Sequence, residues 1–328
     1  MIRGILKLLV AALLCAAVWL AWNFHMPLQP PGATFVLLRP GWSSRHIASE
    51  LEAAGVIRSS RAFLLVHYLH RGTLKAGEYK FDRPADTRQI YERLVQGDIY
   101  DRTVVIPEGY NLFEIGAAIE QAGLGPRQDF VRAASRDVLL IHDLDPTATS
   151  LEGYLFPDTY SFTRTQSMDD IVGAMVRRFR QEARAIGLTG DFHRVVTLAS
   201  IVEKETSAGD ERAQVAGVYS NRLRRGIALD ADPSVIYAAE LAGQYGGNIR
   251  QSDLQSVSPY NTYKHAGLPP GPIANPGRAS LDAALHPAAT DFLYFVSDNN
   301  GHHRFARTLE EHTRNVAAYR RAVAATPR

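Results

Sequence analysis

The sequence predicts an α+β fold carried behind a membrane-spanning helix, on three observations. An uninterrupted apolar run from Leu8 to Trp22 follows Arg3 and Lys7. A strand–helix plan that starts at Phe35 recurs 68 residues later. The C-terminal half then mixes long helical periods with a strand near its end and a hairpin partner. With 328 residues, 46% of them hydrophobic and 21% charged, the chain can hold two cored domains and is too apolar to be disordered. A formal net charge of only +2, with no basic stripe interleaved with aromatics, argues against a nucleic-acid partner.

The first element is read as an uncleaved anchor. A signal-peptidase site wants small residues before the cut, and Trp19 and Trp22 crowd the one at Ala21. The run is short for a bilayer that needs about 20 residues, but Lys7 can snorkel and Asn23, Phe24 and His25 can sit among headgroups. Basic residues before the run, and none after it until Arg39, put residues 1–4 in the cytoplasm and 5–24 in the membrane. Everything beyond about residue 26 then faces the other side. Cys15 is the lone cysteine, so neither an intrachain disulfide nor a thiolate zinc site is available. Leu14 before it is too bulky for a lipoprotein acylation motif.

Pro27 to Pro31 reads as a short stiff linker. Phe35 to Leu38 reads as a strand, Pro40-Gly41 as a turn, and Ser43 or Ser44 as the cap of a helix carrying Ile47, Leu51 and Ala54. Ser59 to Tyr68 gives a second helix and Gly77 to Phe81 a second strand. Val104 to Ile106, Gly109, Asn111, Ile115, Ile119 and Gly123 repeat the plan, with Gly41 matching Gly109, Ile47 matching Ile115, Glu52 matching Glu120 and Gly55 matching Gly123. The strand–helix–helix–strand order resembles the LysM domain, a small module that binds N-acetylglucosamine-containing glycans. The likeness is one of pattern, and a spacer without sugar affinity fits it as well. Residues 34–100 are assigned to this module, 101–150 to a second, related unit and connection, and 151–328 to a mixed helical and β domain.

That last domain opens on Leu151-Glu152-Gly153 and a row of aromatics, Tyr154, Phe156, Tyr160 and Phe162, that can face a core or stack on sugars. Helices are expected over 168–187, 191–206 and 210–225. A Pro/Gly-rich loop runs from Leu268 to Gly277. A strand over 292–296 turns at Asn299-Asn300-Gly301 into a hairpin, and a helix over 308–325 closes the chain. His302 and His303 are expected in the turn, in solvent.

The most informative stretch is Ala199 to Thr206, in the second of those helices. Val195, Leu198, Ala199 and Val202 recur at helical spacing as an apolar stripe, and Lys204 points away into water. Glu203 and Glu205 fall near opposite margins, roughly 160° apart, so they are not expected to act as a pair. By this geometry alone either one can be a partly buried proton donor or a structural ion-pair member.

Three segments stand out together: Ile201 to Thr206, Asp230 to Tyr237, and Ser258 to Tyr263 followed by Gly267 to Ile273. With Leu151-Glu152-Gly153, Phe156 to Thr159, Asn221-Arg222-Leu223, Tyr294 to Val296 and Asn315-Val316, the sequence resembles the endolytic murein transglycosylases, the YceG-like family, over nearly its whole length. The resemblance implies cleavage of peptidoglycan strands between N-acetylmuramic acid and N-acetylglucosamine, leaving a 1,6-anhydro end, with Glu205 as the catalytic residue. It implies no metal or organic cofactor, and work beside peptidoglycan synthases. The chain departs from its relatives at Asp230-Ala231, where an amide is common before the Asp-Pro step.

Under that reading Glu203 supports the helix. Tyr260, Asn261 and Thr262 either bind sugar or stabilise their loop, Glu152 is a cleft carboxylate or a turn residue, and Asp232 is a cleft residue or a helix cap. Two rival readings follow. One is a hydrolytic muramidase with Glu152 or Asp232 activating water. The other is a non-catalytic wall-binding scaffold.

Overall fold

In the computed structural model, which describes residues 2–30 and 32–325, the helix α1 spans Ile2–His25. Met1 of the expected cytoplasmic terminus, Pro31 of the linker and the final residues 326–328 lie outside the described residues. By length and composition alone, α1 suffices to cross a membrane. Its last turn leaves carbonyls without intrahelical donors, and other groups supply them. Thr87 Oγ1 donates to Asn23 O at 2.7 Å, and Arg58 donates to Met26 O and, at 3.0 Å, to Pro27 O. Leu28 and Ala85 exchange backbone hydrogen bonds of 2.9 and 3.2 Å. The first residues of the expected stiff linker are therefore tied down by hydrogen bonds as far as Leu28.

The chain divides into two compact units, the first running to Thr103 and including Ser161–Gln166, the second made of Val104–Tyr160 and the chain from Ser167. In the first unit, β1 (Thr34–Leu38) pairs antiparallel with β2 (Gly77–Phe81), Thr34 opposite Phe81 and Leu38 opposite Gly77. Between them lie α2 (Ser44–Ala53) and α3 (Ser60–His70), capped by the hydroxyls of Ser43 and Ser59. Leu38, Leu51, Phe63, Tyr79 and Leu94 make the fully buried centre. An element the periodicity did not foretell, α4 (Thr87–Gln96), closes this core with Ile90, Tyr91 and Leu94. Its start was signposted by the capping box of Asp86 and Gln89. Glu78, 1% exposed, is held by Arg102 at 2.8 Å and Arg164 at 3.0 Å. Burial alone would raise its pKa; the two guanidinium partners outweigh that and hold it below the ordinary value.

The repeat is visible in the backbone. The strand β3 (Arg102–Val105) is followed by α5 (Leu112–Gln121) and α6 (Arg127–Arg136), and β3 pairs with β4 (Thr159–Phe162), completing a second strand–helix–helix–strand run. Gly41 and Gly109 share a φ near +80°, and Gly55 and Gly123 one near +70°, where side chains are strained. Asn111 caps α5 as Ser43 caps α2. The four aromatics around β4 serve the interior: Tyr154, Phe156 and Phe162 are buried, and Tyr160 Oη donates to Phe156 O.

The remaining helices are α7 (Met168–Ala185), α8 (Phe192–Glu205), α9 (Arg212–Arg224), α10 (Asp232–Leu241), α11 (Gln251–Leu254) and α12 (Arg278–Leu285). Every residue of α8 from Val195 to Val202 is buried, so it is a central helix packed on several sides, with α9, α10 and α12 against it, where the stripe foretold one apolar face. The hairpin of β5 (Tyr294–Ser297) and β6 (His303–Ala306) carries α13 (Leu309–Ala325) on it. The strand start shifts from the expected 292 to 294.

Candidate active site

Glu205 is the last residue of α8, where the buried helix reaches a cleft of about 340 Å³. The cleft is lined by Glu205, Tyr219 and Arg222 of the α8–α9 pair, Asp230 and Tyr263 from the loops, Asp232 at the start of α10, and Tyr294, Phe295 and His312 from the C-terminal hairpin and helix. Tyr219 Oη donates to Glu205 Oε1 at 2.6 Å, fixing one oxygen of the carboxyl. Burial pushes the Glu205 carboxyl up to about 7; the Tyr219 hydrogen bond opposes the rise, Asp232 adds to it and His303 opposes it. Burial and the adjacent carboxylate push the Tyr219 hydroxyl well above its ordinary value, so it stays a donor.

Glu203 faces elsewhere, as its spacing required. Its Oε1 pairs with Arg212 at 3.2 Å and its Oε2 accepts the Gly277 amide at 2.8 Å, tying α8 to α9 and to the start of α12. Lys204 is exposed, yet its ammonium donates to Gly109 O at 3.2 Å and is not simply solvated.

The other sequence-predicted residues separate into two sets. Asp232 lines the cleft, its Oδ1 accepting the Tyr263 hydroxyl at 2.7 Å. Asn261 and Thr262 do not line it; both are buried in their own loop. Asn261 Nδ2 donates to the carbonyls of Leu254 and Ser256, and Thr262 Oγ1 accepts the Ala231 amide at 3.0 Å and lies 2.8 Å from Ser234 Oγ. They brace the loop that presents Tyr263. Tyr260 packs against Tyr237, ring centroids 5.1 Å apart, outside the cleft lining.

Glu152 is also buried away from the cleft, accepting from Leu112 N, Tyr237 Oη and, at 2.8 Å, Asn275 Nδ2. Burial pushes its carboxyl up to about 8, against the pull of Leu112 N and Tyr237 Oη. Its neighbour Gly153 has a φ of +85° and lies so close to Pro272 and Val196 that a Cβ would clash with both.

Several site residues were not singled out by the sequence, although Arg222 and Tyr294 stand in its motif segments. Tyr219 reaches Glu205 only because α9 packs on α8, and Tyr263 stood in the quoted loop without being singled out. Arg222 latches the cleft floor, donating to Ala228 O at 2.7 Å and pairing with Asp230, itself at a φ of +50°. Its guanidinium lies over the Tyr294 ring, which stacks on His312. His303 is not the solvated turn residue expected. It begins β6, its side chain is 14% exposed, and Glu211 takes its Nδ1 at 2.7 Å and its backbone amide at 2.9 Å. A strand start and a buried acid one helix away, neither visible in the His-His pair, draw it inward.

Among the described residues no group of three or more His, Cys, Asp or Glu side chains is placed to hold a metal ion. The class defined by the fold and the cleft is thus an α+β domain with one desolvated glutamate, oriented by a tyrosine, at a polar and aromatic cleft.

Comparison with known proteins identifies the lineage of that domain. The YceG-like family matches residues 36–318, and the chain belongs to that family. It is 35% identical over 302 residues to a Bacillus subtilis protein named endolytic murein transglycosylase, covering 85% of this chain and 82% of the relative. A Streptococcus pneumoniae protein of the same name is 29% identical over 322 residues, and there the match spans only 57% of the relative's length. The crystal structure of a YceG-like protein from Listeria monocytogenes superposes with a TM-score of 0.56 at 32% identity, covering 86% of this chain and 98% of that one.

Proposed function

We propose that the chain is an endolytic murein transglycosylase that cuts peptidoglycan strands between N-acetylmuramic acid and N-acetylglucosamine, with Glu205 as acid and then base. The observation that carries the reading is the Glu205 carboxyl itself, raised to about 7 by burial while it lines the cleft. Family membership and the names of the relatives supply the substrate class.

The chemistry needs one proton moved twice. Glu205 gives its proton to the glycosidic oxygen as the bond from the anomeric carbon breaks and its electron pair leaves with that oxygen. The muramic acid 6-hydroxyl then attacks the anomeric carbon, and Glu205 takes the hydroxyl proton. The 1,6-anhydro ring closes, the second sugar leaves with a free hydroxyl, and no water is consumed. A group that must give and retake a proton works best with a pKa near the working pH, which is where burial holds Glu205. Of the two carboxylates weighed for a hydrolytic reading only Asp232 lines the cleft, and Glu152 is engaged elsewhere.

In the rest of this reading, α1 anchors the chain in the inner membrane with its N-terminus cytoplasmic. Residues 34–100 form a LysM-like module and 101–150 its related second unit, which hold or space the 151–328 domain against the wall, beside peptidoglycan synthases. Digestion of purified glycan strands in heavy-oxygen water tests the activity. Anhydro ends free of the label are expected; reducing ends carrying it would identify a hydrolase.

A further inference from the structure

The cleft holds two carboxylates in opposite surroundings. Glu205 closes a buried helix, its carboxyl desolvated; Asp232, at the first turn of α10, is exposed. Each has one oxygen fixed by a tyrosine hydroxyl, from Tyr219 at 2.6 Å and from Tyr263 at 2.7 Å. Among the described residues no cation pairs with Asp232, while the nearby Asp230 is taken by Arg222. Asp232 thus adds an unneutralised negative charge to the space in which the Glu205 proton is held.

We propose that Asp232 is a positioning residue for the reaction: an unpaired carboxylate of the cleft, locked by Tyr263, whose field keeps the proton on Glu205 until the glycosidic oxygen takes it and then draws the proton of the 6-hydroxyl back. The inference rests on the reading of Glu205 as the acid and base, and says how one group serves both steps. Before cleavage, a neighbouring negative charge disfavours ionised Glu205, so the acid arrives charged with its proton. After cleavage the same repulsion makes the Glu205 carboxylate a stronger base. Asp232 itself gives up and receives nothing, and no water is activated.

The other titratable or charged groups at or beside the cleft are Tyr219 and Arg222 of α9, Asp230 and Tyr263 of the loops, Tyr294 of β5, His303 of β6 and His312 of α13; the Tyr219 hydroxyl and His303 oppose the effect of Asp232, and Arg222 is paired with Asp230. On α8 itself Glu203 is neutralised by Arg212, and the Lys204 ammonium is directed to Gly109 O. His303 is paired with Glu211.

The test is the alkaline limb of kcat/KM for anhydro-end formation by the full chain on purified glycan strands. Protonated Glu205 is the active form, so activity falls as pH rises through its pKa. Removing the Asp232 charge lets the proton leave at lower pH, and the limb moves to the acid side. Asp232→Asn is expected to move it by about half a pH unit or more and to slow turnover. Asp232→Glu, which restores the charge, returns the limb, and Tyr263→Phe loses activity with the limb near its original position. A limb unmoved in Asp232→Asn, whatever the rate, overturns the proposal, because a merely structural Asp232 would lower activity without shifting it. Label from heavy-oxygen water in the wild-type products, lost in Asp232→Asn, would make Asp232 the base of a hydrolase and overturn it too. Failure of the underlying reading shows separately, as a Glu205→Gln enzyme that still cuts.

Discussion

Replacing Glu205 with Gln is expected to lower the rate of anhydro-end formation by about 10³-fold or more, since general acid–base catalysis by one placed group contributes about 10²–10⁴-fold and this group is used twice. The fold should survive. Glutamine has nearly the same shape, its amide oxygen still accepts from Tyr219, and the neutral amide relieves the cost of a desolvated carboxyl. Rates on purified glycan strands, read beside far-ultraviolet circular dichroism melts of both proteins, check the two halves of this expectation. An unfolded Glu205→Gln protein would leave the structural half wrong, and an active one the catalytic half.

Replacing Asn275 with Leu is expected to destabilise the second unit by about 3 kcal/mol, the cost of leaving a small set of buried polar groups without partners. Asn275 is fully buried and holds three chain segments at once. Its Oδ1 accepts the Leu155 amide at 2.9 Å, its Nδ2 reaches Glu152 at 2.8 Å and Tyr110 O at 3.0 Å, and its own carbonyl accepts from Gly109 N. A leucine of similar volume fills the space but satisfies neither Leu155 N nor Glu152. Denaturant unfolding of Asn275→Leu, followed by far-ultraviolet circular dichroism, should show its midpoint at lower denaturant than the unmodified chain; an unmoved midpoint would contradict the expectation.

Local signals made most of the elements legible. Of Ser43 and Ser44, the two cap candidates for α2, it is Ser43 whose side chain caps, and Ser59 and Asn111 do the same for α3 and α5. Matching glycines 68 residues apart announced a repeat, and they share backbone angles because each follows or precedes a helix of the same design. The helix ending in Glu205 was readable from its apolar period, although its burial on all sides was not, since period alone cannot count the helices packed around it. α4 and α10 were not foretold, although Ile90, Tyr91 and Leu94 of α4 recur at helical spacing behind the Asp86 cap, and α10 opens on Asp232-Pro233, a pair that serves a turn as well as a helix start.

The site was legible only in part, for a physical reason. That Glu203 and Glu205 face apart follows from helix geometry within one element. What each meets is set by others: Arg212 and Gly277 for one, Tyr219 across the α8–α9 packing for the other. Asn261 and Thr262 looked like sugar ligands because short polar side chains in a proline-flanked loop serve binding and bracing alike; here their partners are the loop's own backbone and Ser234. His303 was drawn from solvent by Glu211, 92 residues earlier, a pairing no window of sequence contains.

The pH dependence of kcat/KM for anhydro-end formation by the unmodified chain is the measurement closest to the central claim, that one desolvated glutamate both gives and retakes the proton. The account predicts activity that is sustained on the acid side of neutrality and falls with a midpoint near 7, the value to which burial raises Glu205. A midpoint near the ordinary glutamate value of about 4.5, or activity that rises through neutrality, would contradict it.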